Sequence, residues 1–376
     1  MKQFLKSCAL VTLSSLFAVA VAEGMLHLFP GFLPVEVRQV FNDKGMAHPE
    51  IGNMPGPGSS GVIVTRDFAV PYRLDKLGFR NDEPWPERAD IVVIGDSLVF
   101  GYGVDRNEAW PQMLSKLSGK TVVNLGLIGA GPQQYQRIYG IFGRPLKPAI
   151  LVIGFFARNE FWDADLFAQW QESGVGGNYL TWRDFGKPSA ADLENPSNRI
   201  TIALRKNSYV LSLVIFGRNT LITRTRTELA PIALKMPDGT TLSLYKGDFG
   251  DKTRFSVPDN EVFETVINAL QEIHDAASAD GTRLLIVFQP GKEEVYRERT
   301  DQPYLDASAA IRARLDQIGI EYLDAAPSFR RKAESGRTLY FPTDGHPNVQ
   351  GYELLAELVA EYLDKGTESK PGKSNN

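Results

Sequence analysis

The sequence predicts an α/β fold built on a parallel sheet of five strands. Four short apolar runs, rich in β-branched residues and ending abruptly, are typical of strands buried on both faces, and a weaker fifth run follows them: residues 91–94, 122–125, 150–153, 284–288 and 321–323. Apolar residues at helical spacing lie between and after these runs, as at 263–273 and 355–363. This alternation favours a layered arrangement in which helices cover both faces of the sheet.

Length and composition limit the class of protein. The chain has 376 residues, 43% of them hydrophobic, and a formal charge of −4 from 41 basic and 45 acidic side chains. It can therefore bury a sizeable core, and its near-neutral balance argues against nucleic acid as a partner. The single cysteine, Cys8, lies in the N-terminal leader, which excludes disulfides and thiol chemistry from the rest of the chain.

The first 30 residues are expected to direct export. Two lysines precede an apolar stretch, residues 8–22, which ends in small residues at Ala20 and Ala22. A signal peptide cleaved at this point and an uncleaved membrane anchor over residues 8–28 both fit the pattern, and the sequence leaves the choice open. Because the lysines mark the cytoplasmic end in either case, we expect a periplasmic or extracellular protein.

The remaining chain is predicted to divide into an N-terminal extension, residues 31–90, and a main domain, residues 91–364. The extension is rich in Pro and Gly and is expected to pack on the main domain, with a flexible loop at residues 52–61. A polar tail without an apolar period, residues 365–376, is predicted to be disordered.

About 100 residues of the main domain break the alternation of strands and helices. Residues 161–260 contain no strand-helix-strand pattern and exceed ordinary loop lengths, so we expect an inserted cap beside the active site. Within it, Pro237-Asp238-Gly239-Thr240 predicts the turn of a hairpin. The apolar run at 209–216 is expected to be a helix packed in the core rather than on a membrane surface.

A serine stands where the first predicted strand ends. In Gly95-Asp96-Ser97-Leu98 the glycine permits a sharp turn, and the turn places Ser97 at the carboxyl edge of the sheet, where open α/β folds bind ligands. The amides that follow can stabilise an anion at the hydroxyl. A plain helix cap is the alternative interpretation, so this motif alone does not decide the function.

A second candidate group precedes the last predicted helix. In Asp344-Gly345-His346 the aspartate can hold one imidazole nitrogen while the other faces a hydroxyl. An exposed loop that only starts a helix is the alternative. Finding this pair together with Ser97 predicts a serine nucleophile with a histidine base. The other histidines are weaker candidates: His274 in a helix as a half-buried packing residue, His48 in the extension, and His27 in or beside the leader.

Donors for a developing oxyanion are expected in the loops after the second and third strands. The glycines of residues 124–132 allow a backbone amide to approach a substrate, and Asn159 can donate from its side chain. Because the carboxyl ends of parallel strands share one edge, we expect these donors to lie near Ser97.

These motifs resemble those of the SGNH (GDSL-type) serine hydrolase superfamily, which implies a three-layer, flavodoxin-like fold. The resemblance implies that Ser97 is the nucleophile and that Asp344 and His346 complete the catalytic triad. It also implies an oxyanion hole formed by the amides of Ser97 and Gly129 and the side chain of Asn159.

The resemblance covers roughly residues 70–160 and 260–363 and leaves the inserted cap unaccounted for. The segment Leu77-Gly78-Phe79-Arg80-Asn81 is similar to the exported bacterial branch with one N-terminal membrane segment. Only Gly345 separates Asp344 from His346, whereas many members have two residues there. The shorter spacing is similar to the alginate-acetylation branch, whose chemistry is acyl transfer.

Two charged residues near the predicted site have alternative interpretations. Arg158 stands where many members have glycine, and we expect it to pair with Glu160 rather than to bind an acidic substrate. Lys292 follows the fourth strand, and we expect it to be a solvated helix start rather than a substrate ligand.

The sequence and the resemblance together predict an exported serine esterase that hydrolyses acyl esters, above all O-acetyl esters on cell-envelope or extracellular polysaccharide. The expected partners are a small acyl ester or an acylated glycan, and a membrane if the leader is kept; no metal or organic cofactor is needed. A polysaccharide O-acyltransferase with the same triad is the main alternative. A lysophospholipase or thioesterase, and a glycan-binding module without activity, are the others.

Overall fold

The structure, a computed structural model, describes residues 2–34, 37, 45–184, 186–225, 231–245, 260–300, 306 and 308–368. The strands are β1 (Met46–His48), β2 (Gly52–Met54), β3 (Ser60–Val64), β4 (Ala69–Arg73), β5 (Ile91–Gly95), β6 (Val122–Gly126), β7 (Ile150–Phe155), β8 (Ile232–Lys235), β9 (Thr241–Leu244), β10 (Arg283–Phe288) and β11 (Tyr322–Asp324). The helices are α1 (Lys2–Leu28), α2 (Ser97–Phe100), α3 (Trp110–Ser118), α4 (Pro132–Ile138), α5 (Ala157–Glu172), α6 (Tyr179–Asp184), α7 (Ala190–Glu194), α8 (Pro196–Asn207), α9 (Tyr209–Thr225), α10 (Asn260–Ala279), α11 (Lys292–Tyr296), α12 (Ser308–Ile318), α13 (Ala326–Glu334) and α14 (Val349–Glu368).

Five parallel strands form the central sheet, in the order β11-β10-β7-β5-β6. These are the five strands predicted from the apolar runs, and the predicted fold class is confirmed. The two neighbours of β5 are β6 and β7. The loops that follow these three strands therefore meet at one edge of the sheet, and this is where the predicted site residues lie.

Alternate strand residues pack into separate layers on the two faces of the sheet. Val92 and Ile94 point into a core closed by α4, α10 and α12. Ile91 and Val93 point into the opposite core, which α3, α13 and α14 close. Since both faces are buried, each strand is apolar throughout, which is why the sequence shows unbroken runs rather than alternation.

Glycines lie at or next to the carboxyl ends of β5, β6 and β7 and make room for the turn that carries Ser97. Gly95 pairs with Gly126 on one side and with Gly154 on the other. A Cβ atom on Gly126 would lie 2.3 Å from the backbone nitrogen of Phe100, and one on Gly95 would lie 2.3 Å from Cγ2 of Val99. Larger residues at these positions would push α2 away from the sheet, so the close packing of α2 depends on the glycines.

The N-terminal extension contacts the main domain through the segment 77–81. Phe79 is fully buried, and the guanidinium of buried Arg80 donates to the carbonyl oxygens of Gly101 (2.6 Å) and Val104 (2.8 Å), just after α2. Asn81 exchanges two hydrogen bonds with the backbone of Asn124 in β6, at 2.8 and 2.9 Å. The segment thus supports the chain on either side of the predicted site.

The prediction of a flexible loop at 52–61 is wrong for half of that segment. Gly52–Met54 forms strand β2, which is buried and pairs with β1, while Ser60 begins strand β3. Met54 is nearly inaccessible because it packs into the core beside Phe79. The glycines indicated turns in this segment, but the few apolar side chains between the glycines are enough to pack it against the core.

Three further predictions concern the inserted region and the C-terminus. The hairpin is present, as β8 pairs antiparallel with β9. The run at 209–216 forms a helix, α9, as predicted. The prediction that this helix packs in the core is wrong, since Val214 is 62% exposed and the helix contacts α1 instead. The last helix extends to Glu368, four residues into the predicted tail, and the chain after it lies outside the described residues.

Candidate active site

A continuous chain of hydrogen bonds joins Ser97, His346 and Asp344 at the carboxyl edge of the sheet. The Ser97 hydroxyl oxygen is 2.8 Å from Nε2 of His346, and Nδ1 of the same ring is 2.6 Å from Oδ1 of Asp344. If Nδ1–H donates to the carboxylate, Nε2 is left to accept the serine proton. The structure thus brings together three residues that are 249 positions apart at the extremes.

The short spacing between Asp344 and His346 is compatible with this contact. Oδ1 of Asp344 accepts both the backbone amide of His346 (2.9 Å) and its ring Nδ1 (2.6 Å). Burial opposes ionisation of Asp344, but the hydrogen bonds from His346 and the nearby charge of Lys292 outweigh it, so the pKa of Asp344 is lowered. With a single residue between them, the aspartate holds both the backbone and the ring of the histidine.

A buried lysine supports the loop that carries His346. Lys292 is completely buried, and its ammonium group donates to the carbonyl oxygens of Asp344 (2.9 Å), Phe341 (3.3 Å) and Pro342 (3.5 Å). Burial lowers the pKa of Lys292, although the carboxylates of Glu293 and Asp344 oppose this. The expectation of a solvated helix start is therefore wrong, because a short helix at a sheet edge can turn its first residue inward.

The N-terminal extension holds the same loop from the other side. Between β3 and β4, the carboxylate of Asp67 accepts hydrogen bonds from the amides of Thr343 (2.7 Å) and Asp344 (2.6 Å) and from the Thr343 hydroxyl (2.9 Å). The carboxylate of Asp67 thus pairs with amides of the loop, and the ammonium group of Lys292 pairs with its carbonyl oxygens. Nothing in the sequence indicated Asp67, since a turn aspartate is common in any hairpin.

The two predicted oxyanion donors outside α2 both lie at this edge. Asn159, in the first turn of α5, faces the carboxylate of Asp96, the residue before Ser97. Gly129 follows β6 in a loop that is joined to β5 by the hydrogen bond from the Leu127 amide to the Gly95 carbonyl (2.9 Å). Its φ of +73° is a conformation that favours glycine, and it lets the loop turn toward the strand ends.

Arg158 does not pair with Glu160, which corrects the sequence-based expectation. The Arg158 guanidinium contacts the buried carboxylate of Glu293, across the edge at the start of α11. Glu160 points into the core, where it accepts hydrogen bonds from the Tyr135 hydroxyl (2.9 Å) and the Phe156 amide (3.2 Å). Side chains two positions apart on a helix point in different directions, and here they take different partners.

Three carboxyl groups are buried together behind Ser97. Burial raises the pKa of Asp96 to about 6 and that of Asp163 to about 8, and it raises the pKa of Glu160 well above its ordinary value. The charge of Asp96 further raises the pKa of both Glu160 and Asp163, and the charge of Asp163 raises the pKa of Glu160. Asp96 caps α2 through the amide of Leu98 at 2.9 Å, so its place beside the serine is fixed by backbone contacts.

A cleft of about 570 Å³ lies near the carboxyl edge of the sheet. Tyr102 forms part of its wall and packs against the His346 ring, with the ring centroids 4.5 Å apart. Leu127, Ile128 and Arg183 line the cleft near Gly129. The Arg183 guanidinium comes within 3.0 Å of the place that a Cβ on Gly129 would occupy, so the inserted region contributes a cation next to a proposed oxyanion donor.

The other three histidines have surroundings away from Ser97. His48 accepts the amide of Ile51 (3.1 Å) in a turn of the extension, and His27 lies 3.1 Å from Glu23 within α1. His274 is half-buried on α10, as expected from its helical position.

Comparison with known sequences supports the reading of the motifs. Residues 249–375 match the family model described as the SGNH hydrolase-like domain of acetyltransferase AlgX. The resemblance to this superfamily is thereby confirmed for the C-terminal third of the chain, and the matched residues include Asp344 and His346.

A curated relative and two solved structures show how far the similarity extends. The alginate biosynthesis protein AlgX of Pseudomonas putida is 28% identical over 141 residues, which are 34% of this chain and 29% of the relative, so the chain spans under a third of its length. A member of the lipolytic protein G-D-S-L family from Veillonella parvula is 14% identical, covers 73% of this chain and 98% of its own, and has a TM-score of 0.34. A two-domain esterase active on acetylated mannans is 11% identical, with coverages of 77% and 52% and a TM-score of 0.40. Because both TM-scores are below 0.5, the fold assignment rests on the sheet observed in this chain and not on these two structures.

Proposed function

We propose that this protein forms an acyl-enzyme on Ser97 and moves O-acetyl groups on an exported polysaccharide. The observation that carries the proposal is the unbroken line of hydrogen bonds from the Ser97 hydroxyl through His346 to Asp344. It is the arrangement by which a serine loses its proton as it attacks an acyl carbonyl.

The first half of the reaction uses residues at the edge of the sheet. Ser97 Oγ attacks the carbonyl carbon of the ester, and its proton passes to Nε2 of His346. The negative charge on the carbonyl oxygen is stabilised by the amides of Ser97 and Gly129 and by the side chain of Asn159. When the intermediate collapses, His346 gives its proton to the departing alcohol, and the acyl group stays on Ser97.

The second half decides between transfer and hydrolysis. A sugar hydroxyl or a water molecule attacks the acyl-enzyme, again with His346 as base, and the serine is restored. The similarity of residues 249–375 to an acetyltransferase domain supports the sugar hydroxyl as the acceptor. Hydrolysis, the esterase activity expected from the sequence, is the second candidate, because the triad serves either acceptor equally well.

Export supports a polysaccharide outside the cytoplasm as the substrate. The described residues include one helix, at Lys6–Leu28, that is long and apolar enough to cross a membrane and lies beside the N-terminus. Lys2 and Lys6, at the N-terminal end of this helix, support an orientation with the main domain on the outer side.

An acceptor experiment separates the two reactions. The full chain is given p-nitrophenyl acetate with alginate oligosaccharides, with mannan oligosaccharides, or with neither, and Ser97→Ala serves as the control. We expect a single burst of p-nitrophenol without sugar, and continued turnover with acetylated oligosaccharide as product when the right acceptor is present. Steady release of free acetate, unchanged by either sugar, would instead establish the esterase.

A further inference from the structure

The leader helix is joined to the inserted region by specific polar contacts. The Glu23 carboxylate, near the end of α1, accepts hydrogen bonds from the amides of Tyr209 (2.6 Å) and Val210 (3.1 Å) and from the Ser208 hydroxyl (2.7 Å). One turn further along α1, the His27 ring packs on Tyr209 with the ring centroids 4.5 Å apart. The first amides of a helix need acceptors, so α1 provides the N-terminal cap of α9 from a distant part of the chain.

Helices α8 and α9 expose apolar side chains close to this contact. The two helices meet at an angle of 80°. Large apolar side chains on both are more than half exposed: Ile200, Leu204, Val214 and Leu221. Such a concentration of exposed apolar surface is unfavourable in water and marks a surface that another apolar phase covers.

The charge of the same segment favours a lipid surface. Between Pro196 and Thr225, the range of α8 and α9, the sequence contains five Arg or Lys residues and no Asp or Glu. This contrasts with the chain as a whole, which has a net charge of −4. A helical segment that is both apolar and basic is typical of elements lying in the interface of an anionic bilayer, with the apolar side chains below the headgroups and the cations among them.

The position of α1 indicates which membrane this is. None of its most apolar stretch is buried against the protein. With its N-terminal lysines in the cytoplasm, α1 leaves the bilayer near Glu23, which is where α9 begins. Helix α8 therefore ends, and α9 begins, at the outer surface of the membrane that α1 crosses.

We propose that α1 is retained as an anchor and that α8 and α9 lie in the outer interface of the same membrane, bound to anionic phospholipid. Glu23 couples the two elements, since it holds the start of α9 at the point where α1 emerges. The proposal does not depend on the chemistry at Ser97, and it explains why α9 remains outside the core despite its apolar sequence.

Depth-dependent quenching in lipid nanodiscs tests this with the full chain. In a Cys8→Ser background, which removes the only cysteine, single cysteines replace Val214, Ile200 or, as a control on the exposed face of α13, Lys332. Each is labelled with the fluorophore NBD, and nanodiscs of phosphatidylethanolamine and phosphatidylglycerol carry a spin-labelled quencher lipid. We expect at least twofold stronger quenching at positions 214 and 200 than at 332, and weaker quenching when phosphatidylcholine replaces phosphatidylglycerol.

Two further readouts complete the test. The mass of the N-terminal peptide from the membrane fraction is expected to show an intact leader, and Glu23→Ala is expected to reduce quenching at position 214 while the acylation of Ser97 continues. Quenching no stronger than at the control position, no dependence on phosphatidylglycerol, or a chain beginning at Glu23 would overturn the proposal.

Discussion

The ammonium group of Lys292 lies 2.9 Å from the backbone carbonyl oxygen of Asp344, so a fully buried cation is joined to the loop that presents His346. On the opposite side, Asp67 accepts the Asp344 amide at 2.6 Å. The loop has no regular secondary structure of its own, and these two side chains satisfy backbone groups that would otherwise be unpaired. The position of the histidine is therefore set by residues from α11 and from the N-terminal extension.

Replacing Lys292 with Met is expected to lower kcat about 10- to 100-fold and to leave KM nearly unchanged. The variant removes the donor for three loop carbonyls, so His346 loses its alignment with Ser97 while the cleft keeps its walls. Initial rates with p-nitrophenyl acetate give the two constants, and thermal unfolding shows whether the chain still folds. Lys332→Met, on the exposed face of α13, is the matched control. A raised KM with unchanged kcat would place Lys292 in substrate binding instead.

Replacing Asp67 with Ala is expected to reduce kcat about 10-fold. The variant leaves the amides of Thr343 and Asp344 without their acceptor, and the loop loses its contacts with the extension while it keeps those with Lys292. The same kinetic assay measures the effect, and Asp82→Ala, an exposed residue of the extension that pairs with Arg106, is the control. Equal rates for the two variants would show that the extension does not position the histidine.

Replacing Asp344 with Asn is expected to reduce kcat roughly 10²- to 10⁴-fold, because the neutral amide no longer stabilises the imidazolium that forms when His346 takes the serine proton. The asparagine oxygen can still accept the backbone amide of His346, so the loop is expected to keep its conformation. The extent of acylation of Ser97 over time measures the loss. A variant within a factor of three of the wild type would remove Asp344 from the proposed triad.

The stability of the protein is expected to fall as the pH rises, in part because of Asp163. Burial raises its pKa from 3.8 to about 8, so the folded chain binds this proton more tightly than the unfolded chain. The stabilisation present below about pH 4 is then lost as the pH rises towards 8. We expect Asp163→Asn to flatten the decline between pH 5 and 8 by more than about 1.4 kcal/mol in the free energy of unfolding, measured in urea. Asp165→Asn, on the same helix, is the control, and an equal decline in all three proteins would contradict the assignment.

Much of the fold could be predicted because its signals are local. Each strand of the sheet is an unbroken apolar run, and the run before Ser97 ends in the glycine that the turn requires. The residues expected at the site also lie after strands, and parallel strands bring such positions to one edge whatever the details of packing.

The interpretations that failed depend on partners far along the chain. Lys292 looked solvated because its carbonyl acceptors lie about 50 residues away, and Arg158 pairs with Glu293 rather than with the glutamate two positions on. The helix at 209–216 looked like core because apolarity alone cannot tell a protein interior from a lipid surface. Its exposure and its cap from Glu23 became visible only in three dimensions.

The most direct test of the proposed chemistry is intact-mass analysis of the full chain after brief exposure to p-nitrophenyl acetate, followed by peptide mapping. We expect one acetyl group per chain, located on Ser97, which is lost in Ser97→Ala and forms much more slowly in His346→Ala. An unmodified chain, or acetyl groups on surface lysines that persist in Ser97→Ala, would contradict it.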